Sequence, residues 1–311
     1  MLKLILLGIL SGAFFSVTFV LNEMMSISGG HWLWSASIRY FFAILFLFVI
    51  IIFQGGIKRV FDLCKLYLEN YIFWTIAGTI GFGFFYGLLC FAADFSPGWV
   101  VAATWQFTIV SSLIVLMLFG KKFPKKIWFF SFLIFVGVCM VNVSHMETFE
   151  LKPLLLGGIP ILIASFCYPI GNQLVWEATN GYHRFVPKIK SELLENAFNK
   201  VFLMSIGTIP LWLLLILIIQ PIAPNSSQII NTIYVAFFSG ILATTIFLYA
   251  RNLAKSSNEL AAVDSTQASE VIFALIGGML FLGSDALNAV SLSGLAFILF
   301  GLYLFTKYQN K

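Results

Sequence analysis

The 311-residue sequence is poor in charge, since Asp, Glu, Lys and Arg make up only 10% of it, against roughly 25% in an average soluble chain. Hydrophobic residues account for 60%, among them 35 Phe. The mean hydropathy is +0.97. A chain with so few charged side chains has too few of them to cover the surface of a water-soluble protein. The composition therefore excludes an ordinary soluble domain and favours a membrane protein.

Catalytic and cofactor signatures are also missing. The sequence contains no Walker A loop, no HExxH, no GxSxG and no Gly-rich dinucleotide fingerprint. Its four Cys form no CxxC pair, and its three His lack the spacing of metal ligands. The net charge of +5 forms no patch of the kind that binds nucleic acid. We therefore predict no enzyme activity, no metal, no cofactor and no nucleic-acid partner.

Long apolar runs dominate what is present. A bilayer core about 30 Å thick needs about 20 apolar residues per helix. Runs of about this length occur near residues 2–22, 31–53, 71–93, 98–119, 127–144, 153–175, 200–219, 229–250, 258–282 and 286–306. The first run has no clear cleavage site for a signal peptidase, so we keep it as a helix. The sequence thus predicts an all-α polytopic membrane protein with ten transmembrane helices.

The basic residues predict the orientation of these helices. With a cytoplasmic N-terminus and ten crossings, every one of the 18 Lys and Arg falls on a cytoplasmic segment except Lys152 and Arg39. Lys152 falls on an outer segment, and Arg39 lies within the second run. Because the cytoplasmic loops of membrane proteins carry an excess of Lys and Arg, this bias predicts cytoplasmic N- and C-termini. The predicted location is a cell membrane, most simply the inner membrane of a bacterium.

Weak internal similarity divides the chain into two halves. A shift of 161 residues places the third and fourth runs on the eighth and ninth and aligns Gln106 with Gln267. We therefore predict two five-helix repeats, 1–150 and 151–311, with a cytoplasmic linker at about 176–199. Because five is odd, the second repeat is inverted relative to the first. Inverted repeats with a binding site between them are typical of secondary transporters.

Several stretches resemble a known superfamily. The segments LNEMMSISGGHWLWSASIRY and YPIGNQLVWE are similar to those of the ten-helix, multidrug-resistance-efflux-like branch of the drug/metabolite transporter superfamily. The segments SPGWVVAATWQ and SSNELAAVDSTQASE, the chain length and the five-plus-five layout resemble the superfamily too. The resemblance implies a secondary transporter that exports a small organic solute, either a drug-like cation or a metabolite.

Charged residues inside the apolar runs are candidates for function. Arg39 lies about 12 Å from the outer end of the second run at 1.5 Å per residue, and an Arg near a helix centre costs about +2.5 to +3.5 kcal/mol. Its side chain either reaches outward to water or has a buried partner. Glu270 lies at the same predicted depth in the ninth run, whereas Asp264 lies about 9 Å lower. We predict an Arg39–Glu270 ion pair, with Glu23 as the second candidate partner.

The ninth run also carries a polar face, formed by Asp264, Gln267 and Glu270 at positions i, i+3 and i+6. We expect this face and the fourth run to line a central solute cavity, in which aromatic rings contact an organic cation. The alternative is hydrogen bonding between helices without a functional role. The predicted solute-binding or translocation residues are Arg39, Glu270, Asp264, Gln267, Gln106, Trp105, Trp34 and Tyr86, with Glu23, Asn22 and Asn172 as secondary candidates.

The mechanism that these features favour is alternating access. Without an ATP motif, uphill export needs an ion gradient, and Glu270 or Asp264 is a candidate to exchange a proton. An uncoupled exchanger or facilitator is the alternative transporter, and a membrane scaffold is a further alternative. The predicted partners are a small organic solute, protons and the lipid bilayer. The sequence does not predict an oligomeric state.

Overall fold

The computed structural model describes residues 2–120, 126–144, 152, 154–180, 183–253, 259, 263, 266–283 and 287–308, and all regular elements within these ranges are helical. The main helices, in chain order, are α1 (Leu2–Ile27), α2 (Trp32–Glu69), α3 (Tyr71–Ala92), α4 (Gly98–Leu118), α5 (Lys126–Ser144), α6 (Leu154–Asn180), α7 (Ala197–Ile219), α8 (Ser226–Arg251), α9 (Thr266–Leu282) and α10 (Ala289–Tyr308).

Length and hydropathy identify seven of these helices as able to cross a membrane. The other three described helices, α5, α9 and α10, contain shorter apolar stretches. This result confirms the prediction of an all-helical, polytopic membrane protein. Ten crossings and an inverted repeat stay predictions. The connection between α6 and α7 is shorter than the predicted linker 176–199, because α6 continues to Asn180 and α7 begins at Ala197.

Helix α2 extends well beyond its apolar run because it changes direction at Gly56. The backbone of Gly56 has φ 74° and ψ 174°, a conformation open to glycine but strained for other residues. Beyond it, Leu63 is buried against the bundle, whereas Lys58 and Lys65 are exposed. The second part of α2 is therefore a short amphipathic helix that follows the membrane-spanning part.

Three connections meet at one end of the bundle, which we call the outer end after the predicted orientation. They are the α1–α2, α3–α4 and α7–α8 connections, whose residues surround one pocket. The Trp34 Nε1–H donates to the Ile222 carbonyl at 2.8 Å, and the Gln228 side-chain amide donates to the His31 carbonyl at 2.9 Å. These contacts join α2 to the α7–α8 region. The cytoplasmic position of the two termini stays a prediction.

Glycines allow several helices to approach closely. A Cβ built on Gly171 of α6 would overlap the Gly81 Cα of α3, so the two backbones touch at this crossing. Small residues at helix crossings are a common packing device in membranes, where close backbone approach provides van der Waals contact. The Gly81–Gly171 crossing holds α6 against α3, and both helices contribute to the cavity described below.

We predict that Gly171→Ala destabilises the fold, because the added methyl group meets rigid backbone. Overpacking of this kind typically costs about 1–3 kcal/mol, and it should lower the melting temperature of the purified chain in detergent. Gly240→Ala is the matched control, since no atom lies closer than 4.0 Å to a Cβ built there. Equal melting temperatures for the two variants would contradict the close crossing.

Candidate functional site

A cavity of about 200 Å³ lies inside the bundle. Residues of α1, α2, α3, α4, α6, α7, α8 and α9 line it. Most of the lining is apolar or aromatic, and hydroxyl groups come from Thr18, Thr108, Ser205, Ser239 and Thr244. Two charged side chains, Arg39 and Glu270, reach the same cavity. A mostly apolar cavity with a few convergent polar groups is the usual form of a small-molecule site.

Irregular turns in four helices surround this cavity. Wide π-helical turns occupy Thr79–Phe84 in α3 and Val235–Ala243 in α8. A tight turn follows Trp105 in α4, and a 3₁₀ turn at Thr266–Ala268 begins α9. Each of these turns contains or adjoins a cavity-lining residue. Such irregular helix turns often mark functional sites, since they change which side chains face inward.

Arg39 points into the cavity from α2 and rests on an aromatic ring. The carbon at the centre of its guanidinium lies 3.8 Å from the centroid of the Tyr86 ring, within the range of a cation–π interaction. Its Nε is buried and has no hydrogen-bond acceptor among the described residues. Arg39 therefore makes its cation–π contact without a carboxylate partner in the described part of the chain.

The Tyr86 ring is held in place by helix α1. Its hydroxyl lies 2.7 Å from Thr18 Oγ1, with which it shares a hydrogen bond, and it accepts a second from Asn22 Nδ2 at 3.2 Å. Tyr86 is buried, so these bonds satisfy a phenol that would otherwise be unpaired. Asn22 thus acts on the site through Tyr86 and does not line the cavity.

Glu270 reaches the cavity from another direction. It lies in the first turn of the regular part of α9 and is only 5% exposed. A Cβ on Gly12 of α1 would overlap Ser269 Oγ, so α1 packs tightly beside this turn. No Lys or Arg among the described residues forms an ion pair with the Glu270 carboxylate within 4.0 Å. A buried, unpaired carboxylate in a membrane bundle is a strong candidate for function.

The predicted Arg39–Glu270 ion pair is not formed in this structure. Among the described residues, one ion pair has its charged atoms within 4.0 Å, and it joins Lys65 to Glu69 on the exposed side of α2. It involves neither Arg39 nor Glu270. Matching depth brings Arg39 and Glu270 to one cavity, as expected, but the guanidinium packs on Tyr86 of α3 while Glu270 approaches beside α1. The two charges therefore face the same space separately.

An aromatic wall completes the cavity. The Phe85 ring lies 4.7 Å from the Trp105 ring and 5.0 Å from the Tyr168 ring, measured between centroids. All three residues line the cavity. Trp105 was predicted at this site. Phe85 was missed, since nothing in the sequence separates it from the many other Phe residues.

Other predicted site residues have different positions. Gln267 lines the cavity as predicted. Gln106 is 2% exposed and does not line it, because its side-chain amide turns back to the Ala102 carbonyl at 3.4 Å. Trp34 lies at the outer end, where it bonds the α7–α8 connection. Asn172 is exposed one turn beyond Tyr168 on α6. Asp264 lies outside the described residues.

Glu23 joins two helices near the outer end. Its Oε2 accepts a hydrogen bond from the Gly98 N–H, the first residue of α4, at 2.7 Å. A carboxylate at a helix N-terminus pairs a free backbone donor and interacts well with the helix dipole. Glu23 is thus a helix cap in this structure, and no ion pair within 4.0 Å joins it to Arg39, both being described residues.

Comparison with known proteins agrees with this architecture. Residues 2–311 match the family model EmrE, described as "Putative multidrug resistance efflux transporter". The chain belongs to this family. The match confirms the resemblance and the reading of a multi-pass membrane transporter of an efflux family, and it gives no support for an enzyme.

Two relatives and one solved structure add to the comparison. Uncharacterized protein YjlA of Bacillus subtilis (strain 168) is 34% identical, over 98% of this chain and 94% of that protein. An uncharacterized 42.1 kDa protein of Shouchella clausii is 36% identical, over 86% of this chain and 70% of that one. A crystal structure with 13% identity superposes with a TM-score of 0.61, over 99% of this chain and 98% of that one. This last likeness shows the fold alone.

We predict that Glu23→Leu destabilises the chain, because it leaves the Gly98 N–H buried and unpaired. The loss should be about 1–3 kcal/mol, measured as a lower melting temperature in detergent. Glu23→Gln keeps an acceptor of the same shape and should lose clearly less. If the two variants melt at the same temperature, the bond to Gly98 is not what Glu23 contributes.

Proposed function

We propose that the chain is a secondary transporter that exports a small organic solute through the cavity between Arg39 and Glu270. The observation that carries this proposal is a pair of ionisable side chains that line a cavity inside the bundle of an efflux-family chain without forming an ion pair with each other. Each charge is costly at that depth, so a structural role alone would not favour keeping both. A non-transport scaffold would have no need of either charge at this position.

Alternating access is the mechanism that this arrangement supports best. In this state α2 is bonded to the α7–α8 region at the outer end through Trp34 and Gln228. Release of solute to the outside requires these hydrogen bonds to break while the cavity residues stay near the midplane. The Trp34 bond is exposed, so water can replace it at a modest cost, whereas Gln228 is buried and its bonds have to be replaced as the helices separate.

The irregular turns support the proposed inverted repeat and its ten crossings. The tight turn at Gln106–Phe107 and the 3₁₀ turn at Thr266–Ala268 coincide when the chain is shifted by 161 residues. The same shift brings the π-helical segment Thr79–Phe84 onto part of Val235–Ala243. Matching defects at matching positions agree with halves 1–150 and 151–311 around a common site.

Proton exchange at Glu270 is the coupling that we propose. A carboxylate that faces the cavity can hold either a proton or a positively charged group of the solute, so that binding of one releases the other. Inward proton movement would then drive outward solute movement. Asp264 stays the second candidate for this role.

Proteoliposomes with an internal pH dye test the proposal. Candidate organic cations, amino acids and neutral metabolites are added in turn, and proton movement and solute flux are recorded together. We expect one solute class to move protons with the wild type, and Glu270→Gln to abolish that movement. Glu69→Gln removes an exposed carboxylate and should behave as wild type. Asp264→Asn tests the second carboxylate.

Solute flux without any proton movement, unchanged in Glu270→Gln and Asp264→Asn, would refute the antiport mechanism. The chain would then be an uncoupled exchanger or facilitator. Absence of flux for every class tested, with folded protein in the liposomes, would count against small-solute transport itself.

We also predict that Trp105→Leu weakens binding of the transported solute about tenfold, because it removes one ring of the aromatic wall. A desolvated aromatic contact with a cation contributes up to about 2 kcal/mol, and 1.4 kcal/mol corresponds to a factor of ten. Trp128→Leu should leave the Kd unchanged, since Trp128 of α5 is exposed and does not line the cavity. The Kd is measured by titration calorimetry on the purified chain; equal losses in both variants would place the solute elsewhere.

A further inference from the structure

The cavity presents two opposite charges that do not neutralise each other. Arg39 offers a guanidinium with a buried Nε that lacks an acceptor, and Glu270 offers a carboxylate without a cationic partner within 4.0 Å, within the part of the chain that the structure describes. No contact of 4.0 Å or less joins their charged atoms. Both nevertheless line one cavity. A solute in this cavity would therefore contact one basic and one acidic side chain at the same time.

The aromatic wall belongs to the same cavity as the two charged side chains. Tyr168 lines this cavity together with Arg39 and Glu270. Its ring adjoins Phe85 and Trp105. An apolar group lying against these rings would thus share one cavity with both charged side chains. The lining suits a solute that carries two charges of opposite sign on an apolar body.

Solutes with a single charge or with none match the two charged side chains less well than a solute with both charges. An organic cation would neutralise Glu270 but leave Arg39 unpaired in a site of low dielectric, and Arg39 would repel it. An organic anion would compensate Arg39 but would leave Glu270 to be neutralised by a proton, so it would use only one of the two groups. A neutral solute would compensate neither charge. A solute that carries both an acidic and a basic group compensates both, and each charge then gains a charge-assisted hydrogen bond.

The size of the cavity limits the apolar body. Drug-sized ligands usually occupy pockets of about 300–1,000 Å³, whereas this cavity holds about 200 Å³. A cavity of about 150 Å³ accommodates benzene. The space therefore suits a single ring or a chain of similar volume, with one small polar group at each end.

We propose that the transported solute is a compact zwitterion, whose carboxylate binds Arg39, whose ammonium binds Glu270, and whose apolar body lies on the wall of Phe85, Trp105 and Tyr168. This inference rests on the proposed function, since it names the solute class of the same site. Arg39 is then the residue that selects zwitterions over simple cations.

Three matched ligands test the inference without any mutation. They are 4-(aminomethyl)benzoate, which is a zwitterion, its methyl ester, which is a cation, and 4-methylbenzoate, which is an anion. Titration calorimetry on the purified full-length chain in detergent gives the Kd of each. We expect the zwitterion to bind at least tenfold more tightly than either of the others.

Two variants then test which charged residue of the protein binds which end of the zwitterion. Arg39→Gln should bring the Kd of the zwitterion to that of the methyl ester, and Glu270→Gln should bring it to that of 4-methylbenzoate. Lys65→Gln removes an exposed positive charge from α2 and should change none of the three values. Circular dichroism and size-exclusion profiles identify a variant that has lost its fold, and the wild-type comparison stands without it.

The outcomes separate this inference from the proposed function. Equal or tighter binding of the methyl ester would overturn the zwitterion proposal, and so would failure of all three ligands to bind. In either case the liposome experiment, which screens other solute classes, still decides whether the chain transports a solute. Absence of solute flux there, together with tight zwitterion binding here, would leave a zwitterion-binding site in a chain that does not export.

Discussion

A guanidinium held on a tyrosine ring inside an apolar bundle is the interaction on which the site depends. Arg39 lines the cavity with its Nε buried and without an acceptor among the described residues, and its cation–π contact with Tyr86 supplies part of the missing solvation. Tyr86 can serve as this platform because Thr18 and Asn22 hold its hydroxyl. The position of one charge thus involves three helices, which explains why α1, α2 and α3 meet so closely around the cavity.

The bilayer imposes the second constraint, because backbone groups in hydrocarbon must find partners within the chain. A regular helix satisfies this requirement but projects side chains evenly around its axis. The π-helical turns in α3 and α8 and the tight turn in α4 keep most backbone bonds while redirecting the side chains beside them. These turns provide an inward-facing set of polar groups such as Ser239 and Thr108. The cavity exists where the helices depart from regularity.

Particular residues show how far sequence reasoning reached. The depth of Arg39 and Glu270 could be calculated from helix rise, and both indeed line one cavity. Depth does not specify how each helix is rotated about its axis, so it could not show whether the two side chains point at each other. In the structure they do not form the predicted ion pair. Gln106 matched Gln267 in the repeat, yet only Gln267 faces the cavity, since the tight turn directs Gln106 to its own helix. Phe85 could not be selected from 35 Phe by any pattern.

Hydropathy and charge, read along the chain, determined the class of protein, the approximate position of its helices and the presence of two charges at membrane depth. These properties depend on composition and on spacing, which a linear sequence contains in full. The tertiary structure decided which helix faces meet, where the helices bend and which partner each polar group finds. Those outcomes depend on packing between residues far apart in the chain, as where Gly81 meets Gly171 or Glu23 meets Gly98. Local patterns carry no information about such pairings, because many alternative partners have the same size and polarity.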